Sequence, residues 1–232
     1  MKDKRRRMFY KAGHKLLFLA TVLVIIGIFT FGIIKRSTYT DLCEDPSFPS
    51  NIMVAEMPEK IAVSSCAEME KLLPSSPVIL SVEAVEEAEF TASSSRQKMR
   101  IKKVHAGKGL QEGDEIYIAG RTSVSLGKDN PYKSLECWFV NLPRPGKTYL
   151  IFLESEIDAV HEVLPVWEVP EEPFFNPIFC YEDFPNMIAP VAGNSTYVSY
   201  GDVKDNEFFA VSETGYQAFM KLKKAMLAKY PL

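Results

Sequence analysis

The sequence is poor in the groups that carry out chemistry. It holds three histidines, His14, His105 and His161, with no H-x-x-x-H pair and no G-x-S-x-G, so the zinc-protease and nucleophile-elbow signatures are both missing. Cysteines number four, Cys43, Cys66, Cys137 and Cys180. The nearest two are 23 residues apart, which removes the close C-x-x-C pairs that a structural zinc site uses. Glycine-rich phosphate loops are absent as well. Gly146-Lys147-Thr148 has the ending of one, but Asn141 stands where the first glycine is required and a strand follows instead of a helix. Gly107, Gly109 and Gly113 have the wrong spacing for a dinucleotide loop and precede the alternating EIYIA, so both glycine groups read as turns.

The acidic clusters Glu86, Glu87, Glu89 and Glu171, Glu172 read as solvated surface, because adjacent carboxylates on a strand face opposite sides. A triad would then have to assemble in space. His105 and His161 sit at expected strand ends, where the ring tip is solvated, so neither is expected within hydrogen-bond reach of a serine, threonine or cysteine side chain in a cleft. No catalytic, cofactor-binding or metal-ligating residue is assigned, no cofactor is implied, and the chain is read as a non-enzyme.

What the sequence does have begins at its amino terminus. Residues 1–15 form a strongly basic tail, and 16–34 run without a charge for a length that can cross a bilayer as a transmembrane helix. A cleaved signal is the rival reading, but its apolar region is normally ~7 to 15 residues long. Here the run is longer and meets Lys35 and Arg36. Seven basic residues before the run against two after it place the amino terminus in the cytoplasm and the remainder outside a cell membrane, held to lipid by this single helix. Residues 1–36 contain nine of the 27 basic residues and one of the 30 acidic ones, so the exported part carries 18 against 29, a net charge of −11. That balance argues against nucleic acid or anionic lipid as its partner. All four cysteines lie on the exported side, where disulfides persist, and two bridges are expected among Cys43, Cys66, Cys137 and Cys180 in one of three connectivities, with free buried thiols as the alternative.

Residues 37–62, with Pro46, Pro49 and Pro58, read as a spacer. A short helix then opens at Ser65, which forms a capping box with Glu68, and stops at Pro74. Residues 63–154 are the expected barrel core. Val78, Leu80, Val82 and Val85, then Met99, Ile101 and Val104, then Ile116 and Ile118 have strand spacing. Cys137–Val140 and the unbroken Tyr149–Leu153 complete five strands. Turns fall at Gly107, Gly109 and Gly113, and at Pro143, Pro145 and Gly146.

Five short strands in this order, with VEAVEEAEF, MRIKKVHAGKGLQEGDEIYI and PGKTYLIFL at their joints, resemble the OB-fold barrels of tissue inhibitors of metalloproteases and netrin modules, in the single-domain form found in bacterial envelope proteins. The resemblance covers about a third of the chain. It implies a mainly β fold, a small five-stranded OB-like barrel preceded by a short helix. As the family's inhibitors open their mature chain on a zinc-chelating cysteine in a C-x-C sequence, the internal Cys66 and the glutamate Glu68 in the third place depart from that mode.

Residues 155–232 form a carboxyl-terminal extension packed on the barrel. VLPVWEV reads as a strand, the proline-rich EVPEEPFFNPIFCYEDFPNMIAPV as irregular, and TYVSYGDVKDNEFFAVS as two strands around a turn at Asp205 and Asn206. Ser212 caps a terminal helix whose face is Tyr216, Phe219, Leu222, Met226 and Tyr230, with Lys221, Lys223, Lys224 and Lys229 toward its carboxyl end. Asn194-Ser195-Thr196 is a glycosylation sequon and marks an exposed loop. The expected function is that of a single-pass, membrane-anchored binding module for an extracytoplasmic protein or envelope component, with metalloprotease inhibition, or an envelope hydrolase or oxidoreductase, as alternatives.

Overall fold

The computed structural model describes residues 2–37, 52–90, 95–125, 133–159, 162–170, 174–189 and 196–232. The chain divides into two compact units, Met1–Pro46 and Ser47–Leu232. In the first, α1 (Lys2–Ser37) contains the segment Leu17–Arg36, which is long and apolar enough to cross a membrane. The described side chains of that segment are exposed apart from the half-buried Val22, and the hydroxyls of Thr21 and Thr30 donate to the carbonyls of Leu17 (3.0 Å) and Ile26 (2.8 Å), so both polar groups are satisfied within the helix.

The second unit is sheet-rich. In chain order it contains β1 (Ile52–Ala55), α2 (Glu59–Leu72), β2 (Val78–Ala84), β3 (Glu89–Phe90), β4 (Ser95–Ala106), β5 (Glu115–Gly120), β6 (Ser123–Ser125), β7 (Lys133–Glu136), β8 (Thr148–Leu153), β9 (Glu156–Ile157), β10 (Val166–Glu168), β11 (Ile178–Cys180), β12 (Tyr197–Ser199), α3 (Tyr200–Val203) and α4 (Glu213–Lys229). The larger sheet has the order β11-β8-β2-β4-β5-β10-β9, with β3 added on β4. Its ladders are antiparallel except for β5 with β10. The smaller sheet has the order β12-β1-β7-β6, with β1 and β7 parallel.

The five-stranded count does not hold. Among the described residues, eight strands share the larger sheet, no ladder joins its two end strands, and three of the eight come from beyond residue 154. The expected strand Cys137–Val140 is not one of them. Its neighbour β7 ends at Glu136 and belongs to the smaller sheet, because Trp138 and Phe139 turn into the left-handed region. The proline-rich segment contributes β11, whose Phe179 and Cys180 are fully buried. The expected hairpin at Asp205 and Asn206 is replaced by α3, and Phe208 and Ala210 make isolated bridges to Val140 and Met57.

Side-chain alternation explains why the larger sheet is apolar on both faces. Leu80, Val82, Ile101, Ile116 and Ile151 share one cluster, whereas Ile79, Leu150, Phe152 and Phe179 point the other way, against α2 and α4. The unbroken run of β8 is therefore filled on both sides, as predicted. Along the outer side of β4, Arg96, Lys98, Arg100 and Lys102 pair with Glu89, Glu115 and Glu83. Lys98 also lies 3.8 Å from Glu86, so part of the first acidic cluster balances a basic stripe.

Residues expected as a spacer are, where described, a buried strand and the start of a helix. β1 lies at the centre of the smaller sheet, with Ile52 and Val54 wholly buried. α2 begins at Glu59 behind Pro58, six residues before the expected capping box, and Ser65 is buried within it. Ala62, Cys66, Met69 and Leu73 form one face at helical spacing, and packing that face sets the start of the helix. Ser212 does cap α4, accepting from the Gly215 N–H at 3.2 Å. A Cβ on Gly215 would meet the Ala62 Cβ at 3.4 Å, so glycine permits the close approach of α2 and α4.

The disulfide expectation is corrected for the three cysteines described. Cys66, Cys137 and Cys180 are free and buried, each in a different core cluster, too separately packed to meet. Cys43 lies outside the described residues. One charged pair is buried in their place: Lys223, read from the sequence as one of the lysines toward the carboxyl end of α4, donates to Glu207 at 2.6 Å and to the Glu182 carbonyl at 2.7 Å, and Glu207 accepts from the Cys180 N–H at 2.7 Å.

Candidate functional site

Two polar constellations stand out, and neither was assigned from the sequence. The first contradicts the expectation for His105. The ladder between β2 and β4 slips on either side of Ser81, and this irregularity sets His105 Nε2 2.8 Å from Ser81 Oγ. Ser81 is fully buried and also lies 2.7 Å from Tyr181 Oη, which in turn donates to the Tyr230 carbonyl at 2.6 Å. Because the tyrosine has one proton and gives it to Tyr230, Ser81 must donate to Tyr181. Ser81 Oγ then accepts from a protonated His105 Nε2. A serine nucleophile needs the opposite arrangement, with histidine accepting.

Burial, reinforced by Lys103, holds the His105 imidazole below its ordinary pKa, and its ring packs edge-on against Tyr230 at 5.4 Å. The chain of hydrogen bonds ties the carboxyl-terminal residues to β2. Lys103 adds a bond from Nζ to the Pro231 carbonyl at 2.8 Å.

The second constellation is a cleft of about 340 Å³ at one end of the smaller sheet, lined by residues of Ala55–Pro58, Leu135–Phe139 and Thr196–Tyr197. The local sequence explains the wall made by β1. Ile52, Val54 and Glu56 share one strand face, so the carboxylate follows two core side chains inward. Glu56 is 0% exposed, and neither carboxylate oxygen has a hydrogen-bond partner. Burial pushes it up to about 7, with the Ala189 backbone acting in the opposite direction. A carboxylate in phase with apolar alternation is a signal visible in IMVAE, yet the flanking prolines drew that stretch into the spacer.

The opposite wall is held under strain. Trp138 and Phe139 have φ of 51° and 63°, a conformation that bulky side chains rarely adopt and that costs roughly 1–3 kcal/mol each. The surrounding structure enforces it. The Cys137 carbonyl accepts from Val140 N and Asn176 Nδ2, the Trp138 carbonyl from Asn176 N, and the Phe139 carbonyl from Phe209 N. Trp138 Nε1 donates to the Arg121 carbonyl at 3.1 Å, and the Arg121 guanidinium sits 3.7 Å from the ring centroid. The indole remains 39% exposed. Aromatic residues carry no preference for this turn, so ECWFV reads as a strand from sequence.

The other sequence candidates scatter. Gly146 has a φ of 77° and makes a turn before β8, Lys147 pairs with Glu182 at 2.6 Å, and Gly107, Gly109 and Gly113 also have positive φ. Cys66 lies in the middle of α2, with its thiol pushed up to about 12 by burial, and burial also raises Cys180, to about 11, and Cys137. His161, Glu171, Glu172, Asn194 and Ser195 lie outside the described residues. His14 falls within α1. No protein-family model matches the chain, and no curated protein matches it.

Proposed function

We propose that this chain is a single-pass membrane protein whose second unit is an extracytoplasmic, non-enzymatic binding module built on an OB-like barrel. The observation that carries the binding reading is the strained Trp138–Phe139 wall. Strain of this kind persists where the surroundings enforce it and clusters at ligand clamps, and here it holds an exposed indole at a cleft.

The barrel reading rests on connectivity. β8 and β9 sit near opposite ends of the larger sheet, yet Glu154 and Ser155 alone separate them. Leu153 to Glu156 spans at most about 11 Å of extended chain, so the sheet must curl until its ends approach. Hydrogen bonds from Glu154 N to the Glu168 carbonyl and from Glu168 N to the Ser155 carbonyl, both 3.0 Å, continue the pairing through the bend. β8 and β9 together would then act as one bent strand closing the barrel through β10.

The non-enzymatic reading is supported by the donor role of His105 and by the three raised thiols, since a nucleophilic thiolate requires a depressed pKa. An inhibitor of the metalloprotease type would need a cysteine at a free amino terminus, whereas Cys66 is internal and buried. Anchoring by Leu17–Arg36 and the basic tail before it orient the module outward.

Photo-crosslinking in native cells tests this reading. A benzophenone amino acid at position 138 should give discrete adducts that the same group at Val163, 96% exposed, does not. Identical adduct patterns at the two positions would remove the cleft as the binding surface. Protease added outside the cells should digest the second unit and spare an amino-terminal tag, and loss of the tag would reverse the orientation.

A further inference from the structure

We infer that the cleft between Glu56 and Trp138 binds an organic cation, an ammonium group carried on an apolar or aromatic body. This inference rests on the reading of that cleft as the module's binding site and specifies its ligand.

Charge complementarity is the first argument. The acidic side chains in the lining are Glu56 and Glu136, and among the described residues no lysine, arginine or histidine lines the cleft. Glu136 is held by Ser134, whose hydroxyl donates to Oε1 at 2.6 Å, while the Glu56 oxygens are buried without a partner at hydrogen-bond geometry, the Ala189 backbone alone acting on them. A carboxylate in that position is neutralised either by a proton or by a cation, because an uncompensated buried charge is strongly disfavoured. An anionic ligand would add a like charge beside both groups. A purely apolar ligand would leave a proton as the only means of neutralising Glu56.

The aromatic residues are the second argument. Trp138, Phe139 and Tyr197 line the same space, and π faces beside carboxylates are the combination that recognises ammonium groups. The Arg121 guanidinium lies 3.7 Å from the Trp138 ring centroid, so the ring's capacity for a cation–π contact is already in use on one side. The volume, about 340 Å³, falls at the lower end of the range for small-molecule sites.

The test uses the full chain in lipid nanodiscs and two probes of matched shape, para-fluorobenzylammonium and para-fluorobenzyl alcohol, followed by ligand-observed fluorine NMR. At about pH 8, where Glu56 is ionised, the ammonium probe should bind at least about tenfold more tightly than the alcohol. Glu56→Gln, which keeps the volume, should reduce that preference to about threefold or less, and so should lowering the wild type to about pH 5.5. The pH arm holds even where the variant alters packing. Equal binding of the two probes by the wild type, or a preference that survives both Glu56→Gln and acid, overturns the inference. Absence of binding by either probe overturns it as well, whereas crosslinking at position 138 decides separately whether the cleft is a binding surface at all.

Discussion

Ser81 Oγ lies 2.8 Å from His105 Nε2 and acts there as the acceptor, because its own proton is directed to Tyr181. A serine and a histidine at this distance resemble two members of a hydrolase triad, but the proton runs the wrong way for general-base activation. The full chain should therefore fail to react with a fluorophosphonate, and mass spectrometry of a Ser81 adduct would reverse the assignment. Ser81→Ala leaves the His105 N–H without its acceptor in a half-buried setting and should destabilise the unit by about 1 kcal/mol in urea unfolding.

Glu56 is predicted to make stability fall as pH rises. Its pKa is raised from 4.5 to about 7 in the folded chain, so the protonated form favours folding. Stability is highest below about pH 4.5 and declines until the folded pKa is passed, an effect of about 3 kcal/mol for this group. Glu56→Gln should flatten that dependence and raise stability at about pH 8. An unchanged pH profile in chemical denaturation would show that Glu56 is not the titrating group.

Replacing Lys223 by methionine should destabilise the unit by about 3–5 kcal/mol, because it leaves Glu207 buried without its cation. Lys223 is 1% exposed, and burial raises Glu207 above the usual carboxylate range while Lys223 opposes that rise. The loss should be smaller at low pH, where Glu207 can take up a proton. A cost below about 1 kcal/mol, the value of a surface pair, would contradict this account.

Cys66, Cys137 and Cys180 should resist a thiol reagent in the folded chain and react after denaturation without reductant, as read by peptide mapping. Burial both shields these sulfurs and holds them as thiols, so reactivity follows unfolding. A disulfide linking any two of the three would contradict their placement in separate clusters.

Much of the local structure was legible in the sequence. Val78, Leu80 and Val82 alternate because neighbours on a strand point to opposite faces, and Phe219, Leu222 and Met226 recur because a helix turns every 3.6 residues. Ser212 caps through a bond three residues away. The charge-free segment of α1 needed only length and composition. The cleft was not legible. Glu56 was hidden among prolines, and the turn at Trp138 is enforced by Asn176 and Phe209, far along the chain.

By itself, then, the sequence determined those features whose causes lie within a few residues: the apolar amino-terminal helix, the strands β2, β4, β5 and β8 of the larger sheet, the glycine turns and the capped terminal helix. Tertiary structure alone decided the parallel pairing of β1 with β7 and of β5 with β10, the joining of β10 and β11 to the larger sheet, and the meetings of Ser81 with His105 and of Lys223 with Glu207. Such contacts depend on loops that must close over long stretches of chain, and a side chain's own neighbours in sequence exert no force that specifies which distant partner it meets.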